Sequence, residues 1–266
     1  MSQLRRAVFR TATLIEPLVR PVGPLLPPAH LRIYYYGTWS PARFDRACRD
    51  ITAELMTRGL RPEHRVLDVG CGIGNVAIGL LDYLRGGYDG IDVHSGAVDW
   101  CRRSITTRHP AFRFHRANLT SGAYNPDGSA EASTYRFPFD DGVFDFVLLA
   151  SVFTHMEPAS LEQYLREIAR LLAPGGVCVA SYFLLNEQTR RGVQEGRSFM
   201  SFDVPHPSGT CLLHDAGRPE SAIAFDEDYV RQVHERAGLT ISHVRRGGWW
   251  TGVPHEQDVL TVVRRI

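Results

Sequence analysis

The sequence contains no lysine: all 30 of its basic residues are arginine. That excludes Schiff-base chemistry and a lysine general base. Neither sign of charge is in excess, because 29 acidic residues leave a formal net charge of +1. A chain so balanced has no field to draw nucleic acid or an anionic membrane, and neither is expected as a partner. The five cysteines (Cys48, Cys71, Cys101, Cys178 and Cys211) are odd in number, and none is paired as CxxC. A disulfide framework and a zinc site are therefore not expected, and a reducing, cytoplasmic location is. Long apolar runs are missing too, so no stable membrane insertion is expected. The basic segment Leu4–Arg10 is no signal-peptide core, since Arg10, Glu16 and Arg20 interrupt it. Residues 2–19 could lie weakly on a membrane surface as an amphipathic helix, pack on the domain, or pack on a second copy in a homodimer.

What is present organises around Arg65-Val66-Leu67-Asp68-Val69-Gly70-Cys71-Gly72-Ile73-Gly74-Asn75. Val66, Leu67 and Val69 read as a buried parallel strand. The three glycines make a tight turn. From Asn75 onward, Val76, Ile78, Leu80, Leu81 and Leu84 fall at helical spacing. Strand, glycine turn and helix open a nucleotide-binding βαβ unit. Glycines let the backbone pass close to a ligand, and the helix start offers unpaired N–H groups. The spacing is GxGxG rather than the dinucleotide GxGxxG, and Asp68 precedes the turn. A carboxylate there suits a cationic ligand end better than a pyrophosphate, which argues against an NAD-dependent dehydrogenase or epimerase.

Residues 1–40 read as an N-terminal extension or lid, broken by Pro17, Pro21, Pro24, Pro27 and Pro28. The aromatic cluster Ile33–Trp39, with Tyr36 as a candidate substrate contact, is either a plug on the core or a lid over the ligand. Residues 41–266 form the catalytic domain. Ser40-Pro41 starts a helix whose expected buried face is Phe44, Ala47, Ile51 and Leu55, with Met56 a further candidate, and Gly59 ends it. Tyr88–Val93 reads as the second strand. Asp92 ends it roughly 20 residues past Gly70, the distance of the acidic residue that binds a ribose. Residues 95–107 read as a helix and Phe112–His115 as the third strand.

A long polar loop over 120–141 carries Tyr124-Asn125-Pro126 and Tyr135. Loops of that length are often functional. Asp140-Asp141-Gly142 reads as a solvated turn. Val143–Ala150 is the fourth strand, nearly all apolar and so central. Residues 158–172 form a helix that Pro174-Gly175-Gly176 ends, and Val177–Phe183 is the fifth strand. Residues 186–222 show little period and read as an insertion near the acceptor. A helix then runs to Ala237, and 239–244 and 259–263 are closing strands. The expected fold is α/β, a doubly wound, mostly parallel seven-stranded sheet. Ligands bind such sheets at the strands' C-terminal ends, where Asp68, Gly70, Asp92, Asn118, Ser151 and His155 all fall.

The Asp68–Gly74 loop, Asp92, the Asp145–Ala150 strand and the Leu171–Gly176 helix end resemble class I S-adenosylmethionine-dependent methyltransferases. More narrowly, Tyr124-Asn125-Pro126, Phe137-Pro138-Phe139, Ser151–Met156 and Gln257-Asp258 resemble a bacterial group tailoring sugars, glycans or other secondary metabolites. The resemblance implies S-adenosylmethionine as cofactor, held by Asp68, Gly70, Cys71, Gly72, Gly74, Asn75, Asp92, Val93, Asn118, Leu119, Ala150 and Ser151. Asn118 stands where the family often has an Asp on the adenine amino group. The expected reaction is O-methylation of a hydroxyl of a sugar or glycan intermediate, so that the partner is a small-molecule or glycan acceptor, with an aromatic or other secondary-metabolite small molecule as the alternative. A non-catalytic cofactor-binding partner protein is the reading from a different class. His155 is the candidate general base, or else a helix-capping histidine. Tyr124, Tyr135, Trp249 and Trp250 could stack on an acceptor or belong to the core. No metal is expected: Ser151-Val152-Phe153 supplies no carboxylates, and His206 and His214 have no ligand spacing.

Overall fold

The computed structural model describes residues 25–122, 125–254 and 256–265. Residues 2–19 and Tyr124, on which expectations rested, lie outside the described residues. The strands are β1 Val66–Val69, β2 Tyr88–Asp92, β3 Phe112–Arg116, β4 Phe144–Leu149, β5 Leu172–Tyr182, β6 Leu184–Leu185, β7 Val204–Pro205, β8 Cys211–Leu213, β9 Ile223–Asp226, β10 Leu239–Arg245 and β11 Asp258–Arg264. Seven of them form one mixed sheet in the order β10-β11-β5-β4-β1-β2-β3. This is the mostly parallel seven-stranded α/β sheet that the alternation of strands and helices predicts. The chain divides into two compact units, one holding Cys71–Ala117 with the described residues up to His64, the other Arg65–Gly70 with the chain from Asn118.

In the first unit, β2 and β3 run parallel, with Tyr88 opposite Phe112 and Asp92 opposite Arg116. Helix α1 (Ala29–Tyr36) stops at Gly37, which takes a left-handed φ of 61°. Helix α2 (Pro41–Thr57) starts where expected, with the Ser40 side chain accepting the Arg43 N–H at 3.3 Å. Its buried residues are Phe44, Cys48 and Leu55; Ala47 and Ile51, expected inside, are only half-buried, and the further candidate Met56 is exposed. Helix α3 (Asn75–Leu80) is shorter than the apolar spacing suggests, although Leu84 beyond it is still buried. Helix α4 (Ser95–Cys101) widens into a π-helical turn at Arg102–Thr106, and Ala97, Val98, Cys101 and Ile105 all point inward as predicted.

In the second unit, β1 and β4 pair in parallel and are buried along nearly their whole length, the pattern of a strand covered on each side. β5 continues parallel to β4, and β11 lies antiparallel between β5 and β10. Helix α5 (Pro158–Leu171) buries Leu161, Leu165 and Ile168. Two expectations fail here. Strand β5 begins at Leu172, opposite Phe144, not at Val177; the next paired residues are Phe146 and Val177, so Ala173–Gly176 bulge outward, with Gly175 at φ 77°.

Residues 186–222 are not featureless either. They supply helix α6 (Glu187–Gln194), β7 and β8, and the last two join β9 and β6 in a four-stranded sheet ordered β6-β9-β8-β7. Asn186 and Thr189 close a reciprocal capping box on α6. A small core lies under this sheet: Phe183, Leu185, Phe202, Ala222, Ala224 and Trp249, with Trp250 packed against it. Helix α7 (Glu227–Arg236) follows, capped by the Asp226 side chain.

Candidate active site

The glycine loop is built twice over, once by its φ angles and once by its neighbours. Gly70, Gly72 and Gly74 have φ of 75°, 50° and 74°, the left-handed region that side chains disfavour. In the first unit, a Cβ on Gly72 would lie 2.9 Å from Tyr35 Cε1, and one on Gly74 would lie 2.8 Å from Ile105 Cδ1. The Gly72 N–H donates to Asp92 Oδ2 at 2.8 Å, and the His94 N–H donates to Oδ1 at 2.8 Å. The Cys71 N–H donates to the Ile91 carbonyl, and that of Gly74 to the Cys71 carbonyl. Cys71, Gly72, Gly74, Asn75, Asp92 and Val93 are therefore brought together. Burial pushes the Asp92 carboxyl above its ordinary range, against the pull of these amides.

One residue that sequence reasoning passed over, His94, joins this group, beside Tyr34 and Tyr35 of the aromatic cluster. His94 caps α4 by accepting the Ala97 N–H on Nδ1 at 3.1 Å. Its ring centre lies 5.6 Å from Tyr34 and 6.1 Å from Tyr35. Tyr36, the candidate named from the sequence, turns instead onto Phe44, at 5.7 Å.

In the second unit, Asp68 is buried within β1. A Cβ on Gly70 would lie 2.5 Å from Val152 Cγ2, so the strand end closes onto the segment after β4. That segment is strained: Ser151 has φ 56°, the sole non-glycine residue with positive φ among the described residues. Its N–H donates to Ser181 Oγ at 2.7 Å, and its hydroxyl donates to Gln257 Oε1 at 3.1 Å. Ala150 before it is exposed.

A 3₁₀ turn, Phe153–His155, follows. Phe153 stacks on Tyr182 at 5.1 Å. Thr154 is fully buried, and its hydroxyl has no hydrogen-bond partner among the described residues. His155 Nδ1 lies 2.9 Å from the carbonyl oxygen of Glu220. A carbonyl can only accept, so Nδ1 carries the proton and the neutral ring keeps Nε2 as its acceptor nitrogen. Burial lowers the His155 pKa, partly offset by hydrogen bonds to the Glu220 and Ser221 backbone and by the nearby Glu220 charge.

The remaining candidates fall in different places. Asn118 is exposed, and its amide is engaged within the loop: Oδ1 accepts from Asn125 Nδ2 at 3.1 Å and Nδ2 donates to Ser129 Oγ at 2.9 Å. Asn125 also donates to the Leu119 carbonyl at 2.8 Å, so the Asn-Pro turn read from the sequence has a side chain that closes the loop. Tyr135 packs edge-on against Phe137, which meets Tyr164 in the same way. Trp249 has 0% exposure and donates from Nε1 to Asp258 at 2.8 Å, so it is a core residue and no acceptor platform. Trp250 lies over Gly192 on one side and under Arg197 at 5.4 Å. It edges an open groove of about 980 Å³ whose arginines are held in ion pairs, such as Arg246 with Glu227 at 2.7 Å and Arg190 with Asp226 at 2.5 Å. Among the described residues no three His, Cys, Asp or Glu side chains group as a metal site. No helix among them is long and apolar enough to cross a membrane.

Comparison with known proteins finds relatives of these elements. Residues 66–176 match the protein family described as a methyltransferase domain. The match begins at β1 and takes in the glycine loop, Asp92, Asn118 and His155. A tRNA N(3)-cytidine methyltransferase of Danio rerio, METTL2, is 26% identical over 186 residues, covering 68% of this chain and 46% of that protein. An S-adenosyl-L-methionine-dependent Diels-Alderase of Talaromyces variabilis, iccD, is 30% identical over 55% of this chain and 46% of its own length. The chain spans less than half the length of these curated relatives. Its fold is shared with the 1,6-didemethyltoxoflavin-N1-methyltransferase of Burkholderia thailandensis, solved with S-adenosylhomocysteine bound: TM-score 0.53, 17% identity, 100% of this chain and 92% of that one. Residues 66–176 are thus similar to a methyltransferase domain, a class whose cofactor is S-adenosylmethionine. The chain's residues fit that cofactor: glycines stand where a Cβ would intrude, and the Asp92 carboxylate, already holding the turn, has lone pairs left for hydroxyl donors.

Proposed function

We propose that the chain methylates a hydroxyl oxygen of a sugar or glycan intermediate, with His155 as the general base. The observation that carries this reading is the bond from His155 Nδ1 to the Glu220 carbonyl, which leaves Nε2 as the basic nitrogen. Burial favours the neutral, proton-accepting form of the ring. The sugar or glycan acceptor rests on the resemblance of Tyr124-Asn125-Pro126, Phe137-Pro138-Phe139 and Ser151–Met156 to tailoring methyltransferases.

When bound, S-adenosylmethionine supplies the methyl carbon and a neutral thioether leaving group. The chain's own residues do the rest. The glycine turn and Asp92 hold the nucleoside end. Ser151 and Val152 shape the end of β4. His155 accepts the hydroxyl proton at Nε2 as oxygen becomes the nucleophile. Alignment of reacting groups is worth about 7–11 kcal/mol in favourable intramolecular cases, and base assistance roughly 10²–10⁴-fold.

The test is transfer of a tritiated methyl group into panels of sugars, phenols, carboxylates and tRNA, with wild type and His155→Ala. Label in a sugar hydroxyl, lost by a factor of roughly 10² or more in the variant, supports the proposal. Calorimetry with S-adenosylhomocysteine should show unchanged binding in that variant. Near-normal turnover by His155→Ala sinks the base role. Label only in phenols or tRNA sinks the acceptor assignment. Cofactor binding with no label anywhere marks a non-catalytic binding protein.

A further inference from the structure

Glu220 sits in the 3₁₀ turn Pro219–Ser221 and makes two kinds of bond in opposite directions. Its backbone carbonyl accepts from His155 Nδ1 at 2.9 Å. Its side-chain Oε2 accepts the Ser121 hydroxyl and the Gly122 N–H, each at 3.0 Å. Ser121 and Gly122 belong to a loop closed on itself. Ser121 and Asn125 exchange backbone hydrogen bonds at 3.0 Å, and the Asn125 side chain reaches back to Leu119 and Asn118. A carboxylate that receives two donors is a strong anchor, since bonds to a charged acceptor are stronger than those between neutral groups. One residue therefore joins three segments apart in sequence: Ser121 and Gly122, the 219–221 turn and the turn carrying His155.

We propose that Glu220 is a positioning residue: by clamping the 118–130 loop through its side chain, it holds its own carbonyl where it fixes the His155 tautomer. This rests on the reading of His155 as the base. A carbonyl by itself is generic, because every residue has one. What is particular here is that the turn offering it is tied down by a carboxylate, and by a loop that begins at a candidate cofactor residue, Asn118. Formation of that loop is then coupled to the proton position on the imidazole.

The test uses the full chain with ring-labelled histidine, where long-range nitrogen–proton spectra report which ring nitrogen bears the proton. His155→Gln assigns the signal. Glu220→Ala should lose the Nδ1–H pattern and lower kcat at least about tenfold, with KM for S-adenosylmethionine within about twofold of wild type. Glu220→Gln keeps a carbonyl oxygen for Ser121 and Gly122, and should restore both the tautomer and most of kcat. If Glu220→Ala does not fold, Ser121→Ala removes one of the two donors and should shift the tautomer part-way. An unchanged Nδ1–H pattern in Glu220→Ala overturns the proposal, as does Glu220→Gln behaving like Glu220→Ala. The spectra decide this even if His155→Ala retains turnover, so failure of the base reading is told apart from failure of the clamp.

Discussion

The Asp92 carboxylate holds the amide of Gly72 at 2.8 Å. The residue that the sequence offers as a ribose partner is thus also the strut of the glycine turn. The two roles use different lone pairs of one carboxylate, whose other oxygen takes the His94 amide.

It follows that Asp92→Asn should be nearly as damaging as Asp92→Ala. The amide nitrogen of Asn would face a backbone N–H, donor against donor, and one buried donor would stay unsatisfied at about 1–3 kcal/mol. Both variants should melt lower and bind S-adenosylhomocysteine at least about tenfold more weakly by calorimetry, since 1.4 kcal/mol is a tenfold change. Wild-type affinity in Asp92→Asn would show that the amide contacts do not shape the loop.

Ser151 gives a rank order. Its φ of 56° costs a side chain about 1–2 kcal/mol, while its hydroxyl recovers something by bonding Gln257. Ser151→Gly removes the strain and the bond together and should be close to neutral in urea unfolding. Ser151→Ala keeps the strain and loses the bond, and should be less stable than Ser151→Gly by about 1 kcal/mol. The reverse order would mean that the backbone there is relaxed.

The sequence makes the first half of the fold readable for a physical reason. β1 and β4 are covered on both faces, so they appear as apolar runs, and the turn between β1 and α3 needs glycine at three left-handed positions. The second sheet is hidden because β6 and β7 are two residues long and β8 three, too short to show a period. At the site, Asp92 and His155 are legible from their places after strands. Tyr34, Tyr35 and Tyr36 are not separable by pattern. Successive helical residues point about 100° apart, and only packing decides that Tyr35 meets Gly72 while Tyr36 meets Phe44. Glu220 leaves no trace in the sequence, because its bond to His155 spans 65 residues and uses a backbone carbonyl.

Thr154 carries a buried hydroxyl with no partner among the described residues. An unsatisfied buried hydroxyl costs about 1–3 kcal/mol, and valine has nearly the same shape. Thr154→Val should therefore raise the melting temperature. A fall instead would reveal a buried water bonded to the hydroxyl.

His234 sets a pH dependence that can be isolated. It is fully buried on α7, with Nδ1 donating to the Val230 carbonyl at 2.8 Å and Nε2 3.4 Å from the Tyr182 hydroxyl. Burial lowers its pKa from 6.5 to about 4. The unfolded chain therefore takes up a proton as pH falls below 6.5, and the folded chain does not until about 4. Where the unfolded state binds more protons, stability rises with pH. The stability tied to this residue is fully present above 6.5 and drains away as pH falls toward about 4. The whole change is about 3 kcal/mol at 1.36 kcal/mol per pKa unit. His234→Gln cannot titrate, so its urea midpoint should fall less steeply than that of wild type over this window. Parallel profiles for the two proteins would mean that the imidazole titrates normally in the folded state.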